Sequence, residues 1–134
     1  MAELLIVEDD VDAAEALSEV LQLDGHVVAM AFNGVEGLAR LEEHVPDVAL
    51  VDIEMPALDG PGMSKRMFLH NLGFEEVPII LLSGAPQLRR VAAELGTPYF
   101  LAKPYTYEAL TAVLTRALNE RTAPAYRLLT PPAP

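Results

Sequence analysis

The chain has 134 residues, of which 51% are hydrophobic, so it is long enough for one domain with a sizeable apolar core. Twenty acidic residues against nine basic ones give a net charge of −11, which disfavours direct binding to nucleic acid or to an anionic membrane. Cysteine is absent, which excludes disulfides, thiolate metal sites and cysteine nucleophiles. The acidic start is unlike a secretion signal and no apolar run is long enough for a membrane span, so we expect a cytoplasmic protein.

Short, almost continuously apolar segments alternate along the chain with segments of helical periodicity. The apolar segments are typical of strands buried on both faces of a parallel sheet, and they are Leu4–Val7, Val27–Ala31, Val48–Val51, Val77–Leu82 and Tyr99–Ala102. Apolar residues at every third or fourth position predict helices between them, at Val11–Leu23, from Asn33 onward, at Pro61–Leu72, at Gln87–Leu95 and at Glu108–Arg121. Asn33 followed by Glu36 is the pattern of a helix N-cap.

Five repeats of a strand followed by a helix predict a three-layer α/β fold. Because crossovers between parallel strands are right-handed, we expect a doubly wound, flavodoxin-like sheet with five parallel strands in the order 2-1-3-4-5 and helices on both faces. The domain is predicted to span residues 1–121. Residues 122–134 contain four prolines and are predicted to be a tail or a linker.

Polar residues follow four of the five predicted strands, at the edge where ligands bind in such sheets. They are Glu8, Asp9 and Asp10 after the first strand, Asp52 and Glu54 after the third, Ser83 and Gly84 after the fourth, and Lys103 after the fifth. The second strand, which is followed by uncharged residues, lies outside the contiguous set in the predicted order. Asp10 is better explained as the N-cap of the first helix than as a third acid of the site.

The residue types at this edge indicate phosphoryl transfer. Glu8, Asp9 and Asp52 bring carboxylates to one place, and carboxylates so close together raise one another's pKa or need a cation. Oxygen ligands without cysteine or histidine favour a hard ion such as Mg²⁺. Lys103 adds a positive charge and Ser83 a hydroxyl, and an aspartate beside them can act as a nucleophile towards phosphorus.

Four segments in the correct order resemble response-regulator receiver domains over about residues 3–121. They are Ile6-Val7-Glu8-Asp9-Asp10, then Val51-Asp52-Ile53-Glu54-Met55-Pro56-Ala57-Leu58-Asp59-Gly60, then Leu82-Ser83-Gly84-Ala85, then Lys103-Pro104. The resemblance implies that Asp52 accepts a phosphoryl group from a phosphohistidine. It also implies a Mg²⁺ ion, for which Mn²⁺ can substitute, bound by Asp52, by Asp9 directly, by Glu8 through water and by the backbone carbonyl of Glu54.

The resemblance also implies a signalling switch and its partners. Ser83 and Lys103 would bind the attached phosphoryl group, and Phe100 would be the aromatic residue that changes rotamer. The domain would be no enzyme but a phosphoacceptor that assists its own phosphorylation and dephosphorylation. A sensor histidine kinase or phosphotransfer protein would be the donor. A downstream protein or an output domain would bind the surface formed by the last two predicted helices and the strand between them, and a homodimer is possible.

Three other functions share part of this pattern. A haloacid-dehalogenase-like phosphatase also uses an aspartate, Mg²⁺ and a lysine, but it carries a second aspartate two residues after the first, where this chain has Glu54. A flavodoxin-like carrier of FMN needs a phosphate-binding loop after the first strand, where Glu8, Asp9 and Asp10 would repel a phosphate. A degenerate receiver used only for protein contacts is disfavoured because the set of site residues is complete.

Overall fold

The computed structural model describes residues 1–52, 76–84, 86 and 88–124. The strands are β1 (Glu3–Val7), β2 (Val27–Ala31), β3 (Val48–Asp52), β4 (Ile79–Ser83) and β5 (Tyr99–Ala102). The described helices, numbered in chain order, are α1 (Val11–Leu23), α2 (Gly34–Glu43), α3 (Leu88–Leu95) and α4 (Tyr107–Glu120). The helix predicted at Pro61–Leu72 lies outside the described residues.

All five strands form one parallel sheet in the order β2-β1-β3-β4-β5, which confirms the predicted order. β4 begins at Ile79 rather than at Val77, and it extends to Ser83. Pro78 has no amide hydrogen to give to a strand ladder, which explains the later start, although its carbonyl still accepts a hydrogen bond from the Ala49 amide at 3.0 Å.

Apolar side chains form two cores, one on each face of the sheet. In β1, Leu4 and Ile6 belong to the core that packs against α1 and α4, whereas Leu5 and Val7 belong to the core that packs against α2 and α3. Successive side chains of a strand point to opposite faces. Each strand therefore needs apolar residues at nearly every position, which is why the strand segments show no polar alternation.

Three helices begin at residues whose side chains cap the first turn. The Asp10 carboxylate accepts a hydrogen bond from the Ala13 amide at 3.1 Å, and Asn33 Oδ1 accepts from the Glu36 amide at 2.8 Å. Both caps confirm the sequence predictions. The last helix begins at Tyr107 rather than Glu108 because Thr106 acts as its cap. Within the described part of the chain, no helix is both long enough and apolar enough to cross a bilayer.

We expect Asn33→Ala to lower the free energy of unfolding by about 1 kcal/mol, because the Glu36 amide loses its side-chain acceptor. Asn33→Ser keeps a capping oxygen and should stay within a few tenths of a kcal/mol, roughly, of the parent protein. Urea denaturation followed by circular dichroism measures both values. Equal losses in the two variants would show that the cap contributes nothing.

Candidate functional site

The carboxyl ends of β1, β3, β4 and β5 meet at one edge of the sheet and bring the candidate side chains together. Asp52 is the last residue of β3 and lies beside Leu82 of β4, while Ser83, the last residue of β4, lies beside Ala102 of β5. Glu8 and Lys103 are the first residues after β1 and β5. The parallel register therefore places residues that are up to 95 positions apart in the sequence in direct contact.

Lys103 joins the two buried carboxylates of this edge. Its Nζ atom lies 2.7 Å from Glu8 Oε1 and 3.0 Å from Asp52 Oδ2. Only 4% of Glu8 and 5% of Asp52 is exposed to solvent, so neither carboxylate can be stabilised mainly by water. Charge-assisted hydrogen bonds from one ammonium group replace part of that lost hydration.

Burial and the neighbouring charged groups change the pKa values of Glu8 and Lys103. Burial, together with the hydrogen bond to Asp52, raises the pKa of Glu8 to about 7, although Lys103 opposes the shift. Burial by itself lowers the pKa of Lys103, but its hydrogen bonds to Glu8 and Asp52 outweigh this effect and raise the pKa above its usual value. Lys103 is therefore a permanent positive charge, while Glu8 changes its protonation state near neutral pH.

Asp9 completes a set of carboxylates that fits a divalent cation. Oxygen atoms of Glu8, Asp9 and Asp52 all lie within 4.8 Å of one another, with Asp9 on the exposed side. Ligand oxygens of an octahedral Mg²⁺ ion, which binds at about 2.1 Å, are separated by roughly 3 to 4 Å. When all are ionised, the three carboxylates and Lys103 carry a net charge of −2, which a divalent cation would balance.

Two other predicted site residues lie on the strands that build this edge, with different surroundings. Ser83 is 1% exposed, and its carbonyl accepts a hydrogen bond from the Lys103 amide at 2.9 Å. Phe100 lies three residues before Lys103 but faces α3, where the Arg89 guanidinium carbon is 5.6 Å from the ring centre. Glu54, predicted to supply a backbone carbonyl, lies outside the described residues.

A groove beside the site contains residues that the sequence reasoning did not single out. It has a volume of about 660 Å³, begins at Glu8 and Lys103, and runs between α1 and the start of α4. Tyr105 lines it and is half-buried, and this burial raises the pKa of its hydroxyl. In the sequence, the only indication that Tyr105 lies near the site is its position two residues after Lys103. The Tyr107 hydroxyl donates to the Asp24 carboxylate at 2.8 Å, joining α4 to the end of α1.

The raised pKa of Glu8 predicts a specific pH dependence of stability in metal-free protein. A folded-state pKa of about 7 lies above the ordinary value of 4.5, so the folded state binds this proton more tightly than the unfolded chain. The resulting stabilisation is complete below about pH 4.5 and is lost as the pH rises through 7. Between pH 5 and 8 the free energy of unfolding should fall by about 1 to 3 kcal/mol more in the parent protein than in Glu8→Gln.

Urea denaturation in the presence of a chelator, at several pH values, measures this difference. Glu19→Gln, on the exposed side of α1, is the matched control and should keep the pH dependence of the parent protein. An equal loss of stability in Glu8→Gln and the parent protein between pH 5 and 8 would show that Glu8 does not cause the pH dependence.

The sequence matches a known family model and curated relatives. The model described as the response regulator receiver domain matches residues 4–115. Response regulator MprA of Mycobacterium sp. (strain KMS) is 35% identical over 123 residues, which are 90% of this chain and 52% of the relative. MprA of Mycobacterium tuberculosis (strain ATCC 25177 / H37Ra) has the same identity and coverage. The chain thus spans about half the length of the curated relatives it matches.

Two solved structures share the fold over nearly their whole length. Chemotaxis protein CheY4 of Vibrio cholerae is 29% identical, with a TM-score of 0.78 over 87% of this chain and 98% of that one. The signal receiver domain of a signal transduction histidine kinase from Syntrophus aciditrophicus is 27% identical, with a TM-score of 0.80 over 99% and 100%. Together with the sheet order and the acidic cluster at its edge, these matches show that the chain belongs to the response-regulator receiver domains of two-component signalling.

Proposed function

We propose that this domain is a phosphorylation-dependent switch in which Asp52 accepts a phosphoryl group from a phosphohistidine. Phosphorylation is the general means of signalling in the family. The observation that supports Asp52 as the acceptor is its position at the shared edge of the sheet, 3.0 Å from Lys103 and within the cluster of three carboxylates. An isolated surface aspartate would have no such surroundings.

The chemistry follows from the groups around Asp52. A carboxylate oxygen of Asp52 attacks phosphorus, an acyl phosphate bond forms, and the bond from phosphorus to the histidine nitrogen of the donor breaks. Lys103 lies within hydrogen-bond distance of Asp52 Oδ2 and would pair with the charge on the transferred group. Ser83, at the end of the neighbouring strand, would donate its hydroxyl to the attached phosphoryl oxygens.

We further propose that Glu8, Asp9, Asp52 and the backbone carbonyl of Glu54 hold the Mg²⁺ ion that receiver domains generally bind. The oxygen-only donor set, the spacing of the three carboxylates and the net charge of −2 that they carry together with Lys103 when ionised support this assignment. When bound, Mg²⁺ supplies charge neutralisation that permits an anionic donor to approach an anionic acceptor. Mn²⁺, which accepts the same ligands, would serve in its place.

The same proposal includes partners. Receiver domains interact with histidine kinases and output domains, and the apolar groove between α1 and α4 opens directly beside the acceptor site. A donor protein that covers this groove would bring its phosphohistidine to Asp52. The signal would leave through α3, β5 and α4, where Phe100 is half-buried beneath Arg89 and thus able to respond to changes at the edge of the sheet. A cytoplasmic location, a homodimer and the domain limits of 1–121 stay predictions.

Phosphorylation of Asp52 is tested by incubating the protein with Mg²⁺ and acetyl phosphate and then measuring its intact mass. We expect a single phosphoryl adduct in the parent protein and none in Asp52→Asn, which keeps the size of the side chain but not its nucleophilic oxygen. Asp12→Ala, which alters an exposed acid of α1, is the control and should keep the adduct.

Two results would contradict this proposal. One is an adduct of equal amount in Asp52→Asn and the parent protein. The other is continuous turnover of varied phosphomonoesters, which would indicate the phosphatase alternative.

The metal site is tested by titration calorimetry with Mg²⁺. Asp9→Asn should weaken binding by at least about tenfold, because it removes one charged ligand. Asp10→Asn is the matched control: asparagine is an equally good N-cap, so α1 is preserved, and affinity should stay within about threefold of the parent protein. Equal weakening in both variants would show that general negative charge, rather than coordination by Asp9, attracts the ion.

A further inference from the structure

The buried Tyr99 makes polar contacts at the end of the sheet opposite the phosphorylation site. Its side chain is 0% exposed, yet the hydroxyl donates to Glu120 Oε1 at 2.9 Å and accepts from the Thr122 amide at 3.3 Å. The Arg116 guanidinium lies 5.3 Å from the ring centre and pairs with Glu120 at 3.3 Å. One side chain of β5 thus contacts both the last turn of α4 and Thr122, two residues beyond the end of that helix.

The chain changes direction sharply after α4. Arg121 has a φ angle of 52°, in the left-handed region, and its amide donates to the Ala117 carbonyl at 2.9 Å. Glycine is the usual residue there because a side chain is disfavoured in this conformation. Interactions elsewhere must therefore stabilise the turn, and Arg121 is within 3.6 Å of Asp47 Oδ1, in the loop before β3.

The turn places the next residues against the N-terminal edge of the sheet. Pro124 is buried and Ala123 is half-buried, although a free linker would leave both exposed. A cavity of about 400 Å³ lies beside them. It is lined by Val45, Pro46, Glu76, Val77, Arg121 and Ala123. Ala123 and Pro124, which belong to the segment predicted to be a tail or a linker, are therefore packed against the domain, whereas Thr122 is exposed.

We propose that the N-terminal edge of the sheet is an intramolecular docking site for the segment after α4, and that the Tyr99 hydroxyl fastens residues 121–124 to β5. Tyr99 is the first residue of β5 and Lys103 the first residue after it, so the two lie about 13 Å apart at roughly 3.3 Å per residue. Any sequence that continues from residue 124 then leaves the domain at a fixed place, on the side opposite Asp52. Contacts with β5 fix the position and direction of residues 121–124, so this segment does not behave as a flexible linker.

Limited digestion with trypsin tests this docking, because the enzyme cleaves after Arg121 only when the segment leaves the domain. In Tyr99→Phe, formation of the product 1–121, measured by intact mass, should accelerate about fivefold, the effect of losing one hydrogen bond of ordinary net strength. Tyr107→Phe is the matched control, because it removes another tyrosine hydroxyl that donates to a carboxylate, far from the segment. Its cleavage rate should equal that of the parent protein.

Hydrogen exchange separates local release from general destabilisation. The Thr122 amide should exchange faster in Tyr99→Phe, while amides of β1 and β3 keep their protection. Equal cleavage rates in Tyr99→Phe and the parent protein, or equal acceleration in Tyr107→Phe, would overturn the proposal.

A second variant decides the question when Tyr99→Phe does not fold. Asp47→Asn removes the ion pair to Arg121 and should accelerate cleavage by about twofold, as expected for an exposed pair. An unchanged rate in that variant would overturn the proposal as well.

Discussion

The contact of Lys103 with two buried carboxylates is the interaction on which the functional edge depends. Burying one unpaired carboxylate is expensive, and burying two side by side is more so. Glu8 and Asp52 are tolerated there because a single ammonium group donates to both, at 2.7 and 3.0 Å. Even so, the compensation is incomplete, and the raised pKa of Glu8 expresses the remaining unfavourable energy. A divalent cation held there, as proposed above, would offset part of this remaining cost.

The sheet makes this arrangement possible by supplying rigid positions. Glu8 follows β1 and Asp52 ends β3, and both strands are buried along almost their whole length. Lys103 follows β5, which is only partly buried but is hydrogen-bonded to β4, so all three side chains start from backbone positions that the sheet holds in place. Sites built on such elements are better positioned than sites on long loops. The two cores, one on each face of the sheet, thus help to position the side chains at its edge as well as to stabilise the fold.

Much of this arrangement could be predicted from the sequence, for physical reasons that particular residues illustrate. The strands were recognisable because burial on both faces demands continuous apolar runs, and the order of strands identified which of their ends would meet. Asp10 and Asn33 were recognisable as caps because their hydrogen bonds are local in sequence. The limits of β4 and α4 were missed by one or two residues, since Pro78 and Thr106 act through single hydrogen-bond positions that periodicity does not report.

Contacts between distant residues could not be predicted in the same way. Nothing in the sequence around Tyr99 indicates that its hydroxyl meets Glu120 and Thr122, because that contact depends on how α4 returns to the sheet. Similarly, the sequence suggested a positive charge facing the carboxylates but not that Glu8 would be the nearer partner of Lys103. Family membership gives the roles that receiver domains share, whereas these contacts are visible only once the chain is folded.

The adjacent residues Tyr99 and Phe100 help to fix the register of β5 and therefore the position of Lys103 in the site. The two rings point to opposite faces of β5, and each lies under an arginine, Arg116 and Arg89 respectively. A slip of β5 by one residue would turn every side chain to the other face. The tyrosine hydroxyl would then enter an apolar layer without its carboxylate partner, and Lys103 would point away from Asp52. The aromatic pair therefore favours a single register of β5, and in that register Lys103 reaches Asp52.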